Sequence, residues 1–378
     1  MKEIKGNYTN AIVYTDNIEE YAEAQIKMLC DNKCFEDSKI RIMPDVHPGK
    51  VGPIGFTAFI KRSDNAKIMP SIVGVDIGCG MTICKLTKVK HIEFQKLDKV
   101  IRENVPSGFK IRNCPSSYIT EVLSEHIVKP KNVYIKDDVF INSLGTLGGG
   151  NHFIEIDKGD DGYYLVVHSG SRNLGVQVES WYTNAGQEYL KHHKGITDVP
   201  FELTYLEGNL LKDYMIDVAT TQFYASLNRS IIIYEILKGM KWKSEYQYEC
   251  MHNYIHHTTD GYIIRKGSIS ATKDEKVIIP INMRDGVILG RGLGNPEWNY
   301  SAPHGAGRLY SRSEVKEKFT VSEYKKAMKG IYSSCIDSST LDEAPFVYRN
   351  IDEIVENIKD TVEIDTILKP VYNFKAGR

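Results

Sequence analysis

Short β-forming runs, separated by proline and glycine, fill residues 40–87. The spacing of these prolines and glycines restricts the fold more than any other feature. Each run is bounded by Gly or Pro and is short, which predicts strands joined by tight loops. The three runs are residues 51–60, 72–75 and 81–86. Strands and helical stretches do not alternate in a regular β-α-β rhythm along the chain. We therefore predict an α+β fold with mixed or antiparallel sheets flanked by helices, in a single large domain over residues 1–378.

Longer amphipathic stretches predict the helices. Residues 17–30, with Asn17 as a candidate cap, place apolar side chains on one face, and residues 209–237 repeat this pattern over a longer span. Shorter helices are predicted at residues 321–331 and 351–358, and further strands at residues 163–167, 261–265 and 276–281.

The composition is that of an ordinary globular protein. Of the 378 residues, 42% are hydrophobic and 26% are charged, which excludes a disordered chain. The 48 Lys and Arg balance 49 Asp and Glu, which excludes a bulk polycation but leaves a local basic groove open. The first residues lack an apolar signal segment, and no run reaches the ~18 apolar residues of a membrane span. We therefore expect a cytoplasmic protein, with no membrane partner, whose seven cysteines are reduced.

Glycine-rich loops concentrate the residue types that bind metals or catalyse reactions. In residues 43–50, Asp45 and His47 would point to the same side of an extended strand, although a turn stabilised by the Asp side chain is the plainer interpretation. In residues 74–80, three glycines surround Asp76 and Cys79. A carboxylate opposes ionisation of a neighbouring thiol unless a metal cation is present. The alternative is an inert buried cysteine beside a capping aspartate.

Two further loops carry histidines. Three consecutive glycines precede Asn151 and His152, and such a run suits close approach of a phosphate to the main chain. An apolar strand then delivers His168, and the loop behind it ends in Arg172, whose planar guanidinium could bind phosphate oxygens. A β-turn with a surface arginine is the alternative.

His304 follows Pro303 and precedes small residues, which suits a histidine presented to a ligand. His252 has only a weak local signal, and spacing alone does not separate it from the pairs at residues 192–193 and 256–257. Together, one Asp, one Cys and several His could hold two divalent ions. The scattered positions favour a catalytic centre over a structural zinc knuckle, and ligand types alone do not identify the metal.

Five of these motifs, in this order, resemble the RtcB-type RNA ligases. They are Met-Pro-Asp-Val-His, Gly-Val-Asp-Ile-Gly-Cys-Gly, Gly-Gly-Gly-Asn-His-Phe-Ile-Glu, His-Ser-Gly-Ser-Arg and Ser-Ala-Pro-His-Gly-Ala-Gly-Arg. The resemblance runs from about residue 40 to the C-terminus, and residues 1–39 carry no match. It implies an RtcB-like fold.

The resemblance implies a GTP- and Mn²⁺-dependent ligase that joins an RNA 3′-phosphate or 2′,3′-cyclic phosphate end to a 5′-hydroxyl end. His304 would be the nucleophile that accepts GMP. The implied ligands of two manganese ions are Asp76, Cys79 and His152 for the first, and Cys79, His168 and His252 for the second. The family's His-Asn dipeptide selects His252 over its neighbours.

The resemblance also implies a guanylate pocket and contacts to RNA. The implied pocket residues are Asn151, His152, Phe153, Ile154, Glu155, His252, Asn253, Pro280, Ile281, Asn282, Met283, His304, Gly305, Ala306, Gly307 and Lys375. Residues 280–286 depart from the Pro-Gly-Ser-Met-Gly form of many members. Arg172 and Asp45 are candidates near an RNA phosphate, with Asp45 in a supporting or proton-transfer role.

Two other functions use the same residues. A dinuclear metal-dependent phosphodiesterase acting on RNA ends would need the metal ligands but not a covalent nucleotide on His304. An RNA-binding protein would use the metals only to stabilise its loops.

Under the ligase interpretation the RNA is a pair of tRNA halves or damaged tRNA or ribosomal RNA. We take a monomer as the default, and the sequence leaves open whether an archease-type activator is needed.

Overall fold

The computed structural model describes residues 1–122 and 127–376 of the chain. The strands are β1 (Lys2–Lys5), β2 (Asn10–Val13), β3 (Lys39–His47), β4 (Ile54–Lys61), β5 (Gly80–Leu86), β6 (Phe153–Gly159), β7 (Gly162–Ser169), β8 (Ser244–Met251), β9 (Asn253–His257), β10 (Gly261–Lys266), β11 (Ser268–Ser270), β12 (Lys276–Asn282), β13 (Gly286–Gly292), β14 (Ser301–Pro303) and β15 (Val362–Lys375). The α-helices are α1 (Glu20–Cys30), α2 (Pro70–Val73), α3 (Phe94–Asn104), α4 (Ser117–Val122), α5 (Asp137–Asn142), α6 (Asn173–Lys194), α7 (Gly208–Met240), α8 (Arg312–Lys318), α9 (Val321–Ala327) and α10 (Ile351–Asn357).

Two large sheets carry the architecture. One has the strand order β1-β2-β3-β4-β10-β9, with β2 and β3 parallel and the other neighbours antiparallel. The other has the order β12-β13-β15-β6-β7-β5-β8 and is antiparallel throughout. A short pair, β11 and β14, accompanies them. The predicted α+β class with mixed and antiparallel sheets is confirmed.

The central strands of the seven-stranded sheet are buried on both faces. Along β7, Tyr164 and Val166 join one apolar cluster, while Leu165 and Val167 join another on the opposite face. This follows from the two-residue period of a strand. Because both faces are covered, β7 is a continuous apolar run that does not alternate with polar residues.

Helix α7 connects the cores of the two sheets. Its first half buries Leu211 and Val218 in the cluster that includes the six-stranded sheet. Its second half buries Ile232 and Ile236 in the cluster on one face of the seven-stranded sheet. The long helix predicted at residues 209–237 is thereby confirmed, and it packs against the cores of both sheets.

Two local predictions are wrong. Residues 72–75 do not form a strand, because Pro70 begins the short helix α2 and Gly74, at φ 91°, ends it. A short buried apolar run has no periodicity that separates strand from helix. Asn17 is not the cap of α1, which begins at Glu20 after Glu19 without a side-chain cap.

The N-terminal residues, which lack a match to the family motifs, are part of the first sheet. They supply β1, β2 and α1, and β2 pairs with β3 through Ala11, Ile12 and Val13. In the described ranges, no helix is both long and apolar enough to cross a bilayer.

Candidate metal centre and adjoining cavity

The ends of four adjacent strands bring the candidate metal ligands together. β5 lies between β7 and β8, and Gly80 is paired with Ser169 on one side and Met251 on the other. Cys79, directly before β5, therefore lies beside His168 near the end of β7 and His252 just after β8. Phe153, the first residue of β6, is paired with His168. This pairing places His152, directly before β6, beside the same ligands.

Two groups of ligand atoms share Cys79. Asp76, Cys79 and His152 form one group, and Cys79, His168 and His252 form the other, with the ligand atoms of each group within 4.8 Å of one another. The Cys79 Sγ lies 3.5 Å from Nε2 of His152 and 3.3 Å from Nε2 of His168. This geometry allows one thiolate to bridge two cations.

His152 faces the cluster with its Nε2 atom. Its Nδ1 lies 2.9 Å from the Leu147 carbonyl oxygen, to which it must donate, so the neutral ring has a lone pair on Nε2. That atom is 3.1 Å from an oxygen of Asp76. Two acceptors at this distance need either a second ring proton or a cation between them, and a metal-bound histidine characteristically has its other nitrogen oriented by a carbonyl in this way.

His168 repeats the arrangement. Its Nδ1 is 3.0 Å from the Asn151 carbonyl oxygen, and its Nε2 is 3.3 Å from Nε2 of His252. Burial lowers the pKa of both His168 and His252 well below the usual value, with neighbouring imidazoles adding to the effect. Neutral imidazoles whose lone pairs converge are suited to a metal ion.

The anionic side of the cluster also favours a cation. Burial raises the pKa of the Cys79 thiol well above its usual value, and the carboxylate of Asp76 raises it further. Burial also opposes ionisation of Asp76, but contacts with His152, Cys79 and the Ser171 amide outweigh it and bring the pKa of Asp76 to about 2. A bound divalent ion would deprotonate the thiol and offset both charges. The donor set of one carboxylate, one thiol and three imidazoles fits such an ion.

Residues in the middle of α7 brace the loops that carry these ligands. Arg229 is fully buried and donates to the carbonyl oxygens of Gly78 (2.8 Å) and Ser169 (2.9 Å). Its neighbour Asn228, also fully buried, accepts from the amides of Gly145 and Thr146 at 2.8 and 3.0 Å. Sequence reasoning missed both residues, because a polar pair within a long amphipathic helix carries no sign of what it will contact.

His304 lies next to this cluster and is held by Asp45. The ring centroids of His252 and His304 are 4.9 Å apart. Nδ1 of His304 is 2.7 Å from Oδ2 of Asp45, and the backbone amides of His304 and Gly305 donate to the same oxygen at 3.2 Å. Asp45 is fully buried. The arrangement fixes the proton of His304 on Nδ1 and leaves the Nε2 lone pair for attack on an electrophile.

A cavity opens beside His304. Its lining includes most of the pocket residues that the family resemblance implies: Asn151, Phe153, Glu155, His252, Pro280, Ile281, Asn282, Met283, His304, Gly305, Ala306, Gly307 and Lys375. Ile154 lies outside it because alternate residues of β6 face opposite ways, and its side chain packs in the core. His152 belongs to the metal-ligand cluster, and Asn253 accepts from the Gly267 amide at 3.0 Å.

Sequence reasoning did not assign six cavity residues: His47, Arg308, Arg312, Glu343, Tyr348 and Asn373. Glu343 is the centre of a buried charge network with Arg308 (3.3 Å), Arg312 (2.8 Å) and Lys375 (2.8 Å). Burial alone would raise the pKa of Glu343, but these three cations bring it to about 2. Asp342 also pairs with Arg312, so this network holds three cations and two carboxylates. Cationic side chains beside the cavity suit an anionic ligand.

Arg172 is placed behind the glycine loop and not in the cavity lining. Its Nε donates to the Thr146 hydroxyl at 3.0 Å, and Nη2 donates to the Gly108 carbonyl at 2.7 Å. Burial lowers its pKa, and the carboxylate of Asp76 partly offsets this. Its contacts support the loop that leads to His152, and a role toward RNA stays a prediction.

Comparison with known proteins finds matches over nearly the whole chain. A family profile described as tRNA-splicing ligase RtcB matches residues 34–138 and 129–376. The chain is 32% identical to the RNA-splicing ligase RtcB1 of one Escherichia coli strain and 31% identical to the RNA-splicing ligase RtcB of Escherichia coli K12, each time over 96% of this chain and 97% of the relative. It is 28% identical to the tRNA-splicing ligase RtcB of Aeropyrum pernix, over 92% of this chain and 90% of that protein. The matched part includes every cluster and cavity residue described above.

Proposed function

The chain belongs to the RtcB family of tRNA-splicing ligases, and from this premise we propose that it is a GTP- and Mn²⁺-dependent RNA ligase acting through a histidine–GMP intermediate. It would join RNA ends that carry a 3′-phosphate or a 2′,3′-cyclic phosphate to 5′-hydroxyl ends. The observation that carries the proposal is the position of His304, with Nδ1 bonded to Asp45, beside the metal-ligand cluster and in the cavity wall.

In the first step, Nε2 of His304 attacks the α-phosphorus of GTP, and the bond from this phosphorus to the bridging oxygen breaks with loss of pyrophosphate. The hydrogen bond to Asp45 keeps the proton on Nδ1 of His304, and the Asp45 carboxylate offsets the positive charge of the guanylylated ring. Lys375, Arg308 and Arg312 place positive charge beside the cavity, where it would attract the nucleotide. When bound, divalent ions at Asp76, Cys79, His152, His168 and His252 would neutralise phosphate charge and favour in-line displacement.

In the second step, an oxygen of the RNA 3′-phosphate attacks the same phosphorus and breaks its bond to His304, which restores the neutral ring. The product is an RNA 3′-end joined to guanosine through a diphosphate. The 5′-hydroxyl of the other RNA then attacks the RNA phosphorus, loses its proton and releases GMP. A cyclic phosphate end must first be opened by water to a 3′-phosphate.

The base end of the cavity suits a purine with hydrogen-bond donors. Glu155 lines the cavity, and its Oε2 accepts from Asn373 at 2.6 Å. Its other oxygen would accept from the N–H groups of a base. Phe153 on the same face of β6 offers an apolar surface. We propose that these two residues, with the segment from Pro280 to Met283, contact the guanine nucleoside.

The test is the transfer of label from GTP to the protein. Incubation with α-labelled GTP and Mn²⁺ is expected to give an acid-labile label on the wild type and none on His304→Ala. Sealing of a defined RNA pair, one end with a 2′,3′-cyclic phosphate and the other with a 5′-hydroxyl, is expected only from the wild type. Phosphodiesterase activity without label would instead support a dinuclear hydrolase, and normal RNA binding by both proteins without sealing would support a binding protein.

Four further expectations from the sequence stay predictions. The RNA is a pair of tRNA halves or damaged tRNA or ribosomal RNA, the protein works as a monomer in the cytoplasm, and the whole chain forms one ligase domain. The need for an archease-type activator is decided by comparing sealing rates with and without such a protein.

A further inference from the structure

A tight turn at residues 107–110 presents one aromatic side chain to solvent. Gly108 has φ 65°, and the Lys110 amide donates to the Ser107 carbonyl at 3.3 Å, which closes the turn. Phe109 at its tip is fully exposed, at 102% of the reference area. No described residue covers the ring. A ring exposed to this degree has both faces open to stacking by another planar group.

The turn is anchored on the loop that carries a candidate metal ligand. The Gly108 amide donates to the Gly148 carbonyl at 2.8 Å, and Nη2 of Arg172 donates to the Gly108 carbonyl at 2.7 Å. Gly148 in turn lies against His152, since a Cβ on this glycine would be 2.7 Å from Nδ1 of that ring. The backbone that carries Phe109 is therefore held against the loop that leads to His152.

The cluster has two ends, and the turn lies at the end away from His304. Successive contacts lead from His304 to His252, then to His168, and through Cys79 to His152. The cavity proposed for the guanine nucleotide opens at the His304 end. The RNA phosphate that attacks the guanylylated histidine must come from a side that the nucleotide does not fill, which leaves the end with the turn.

A polar cleft extends from the turn toward the cavity. Its lining includes Arg102, Ser107, Gly108, Ser334, Thr340 and Lys375, together with the acidic Asp337. Hydroxyl and cationic side chains of this kind bind phosphate and ribose oxygens. Lys110, next to Phe109, is exposed and has no ion-pair partner among the described residues, so its charge also faces solvent.

We propose that Phe109 is a stacking platform for an unpaired base at the RNA end presented for sealing, with Lys110 and the polar cleft contacting its backbone. This inference rests on the proposed ligase function. Aromatic rings stack on any base, which suits an enzyme that must accept ends of different sequence. A turn held by three hydrogen bonds loses little freedom on binding, and this favours stacking on a preformed ring.

The experiment compares Phe109→Ala, Phe109→Leu and Phe109→Trp. Replacement by Ala or Leu is expected to raise the KM for RNA and to weaken binding of a short single-stranded RNA by roughly 5- to 150-fold, the effect of losing one stacked base. Phe109→Trp retains the ring and is expected to stay near the wild type. Tyr21→Ala, which removes an aromatic ring that is 64% exposed on α1, is the control and is expected to change neither value.

Labelling of His304 by GTP separates this inference from the proposed function. All of the Phe109 variants are expected to label at the wild-type rate. The inference is overturned if Phe109→Leu binds RNA like the wild type, which would point to an apolar contact with a protein partner, or if Phe109→Ala loses labelling in parallel with RNA binding, which would indicate a structural role. Failure of the wild type to label would refute the ligase function, while the RNA-binding comparison would still decide the role of Phe109.

Discussion

At the scale of single residues, the pair of Asp45 and His304 defines the proposed nucleophile. Three hydrogen bonds converge on one carboxylate oxygen that is fully buried, from the His304 ring and from two backbone amides. The carboxylate thereby fixes both the orientation and the tautomer of the ring. This is the arrangement by which a buried acid supports a histidine in catalysis.

We predict that Asp45→Asn lowers the rate of His304 guanylylation by about 10²-fold or more. Asparagine keeps an oxygen that can accept hydrogen bonds, but it lacks the negative charge that offsets the cationic ring of the intermediate. The measurement is single-turnover transfer of label from GTP. Metal content should stay at the wild-type level, because Asp45 is not among the clustered ligands. An unchanged labelling rate would contradict the assigned role of Asp45.

At the scale of elements, the glycine loop before β6 determines the position of His152. Gly148 and Gly150 both have positive φ, 88° and 72°, so a side chain at either position costs about 1–2 kcal/mol in backbone strain. They differ in their surroundings. A Cβ on Gly148 would lie 2.0 Å from Nη1 of Arg172 and 2.7 Å from Nδ1 of His152, whereas a Cβ on Gly150 meets nothing within 4 Å.

We therefore predict that Gly148→Ala weakens metal binding by roughly tenfold or more, while Gly150→Ala lowers stability but leaves metal affinity close to the wild-type value. Both variants carry the backbone strain, and only the first displaces His152 from the cluster. Titration with Mn²⁺ followed by metal analysis measures the affinity, and thermal unfolding measures the strain. Equal metal affinities in the two variants would show that the space around Gly148 is not what holds His152.

Strand β6 also buries two carboxyl groups on one face. Both oxygens of Asp157 lack a hydrogen-bond partner among the described residues, and Glu155 lies two residues before it. Burial raises the pKa of Glu155 to about 7 and that of Asp157 well above its usual value, to which the charge of Glu155 contributes. The folded protein therefore retains protons that the unfolded chain releases near pH 4.

We predict that stability due to this pair is fully present below about pH 4 and falls as pH rises, through about 7 where Glu155 ionises and further as Asp157, whose pKa is also raised, ionises. Asp157→Asn removes one of the two ionisations. The difference in unfolding temperature, variant minus wild type, is expected to increase steadily from pH 5 to pH 9. Thermal unfolding across this range measures it, and a difference that does not change with pH would refute the coupling of the pair.

At the scale of the whole molecule, the metal-ligand cluster ties together parts of the chain that are far apart in sequence. Its members come from the loop before β5, the loop before β6, the end of β7 and the junction of β8 with β9. The buried Asn228 and Arg229 of α7 hold the same loops from behind. A metal bound there would link both large sheets to the central helix.

We predict that Mn²⁺ raises the temperature of unfolding, since a ligand at 100 times its Kd stabilises the folded state by about 2.7 kcal/mol. Cys79→Ser is expected to abolish the increase because Cys79 belongs to both ligand groups. His304→Ala should keep the increase, because His304 is not a member of either group. Thermal unfolding with chelator and then with added Mn²⁺ measures the change, and a full increase in Cys79→Ser would exclude the shared-thiolate arrangement.

The sequence by itself determined the fold class, the long helix and the ordered motifs with their candidate ligands. These depend on local properties, namely the period of apolar residues, the positions of glycine and proline, and the chemistry of Asp, Cys and His. The same local information failed at residues 72–75, where a short apolar run fits a strand as well as a helix.

Only the tertiary structure decided which distant groups meet. It placed His252 beside His168, although local spacing did not distinguish it from other histidines, and it brought Glu343 and Arg312 to the cavity from a segment without a motif. It also directed Asn228 and Arg229 of α7 into the ligand loops. The physical reason is that strand register and helix packing, which depend on contacts between remote residues, determine where buried polar side chains find their partners.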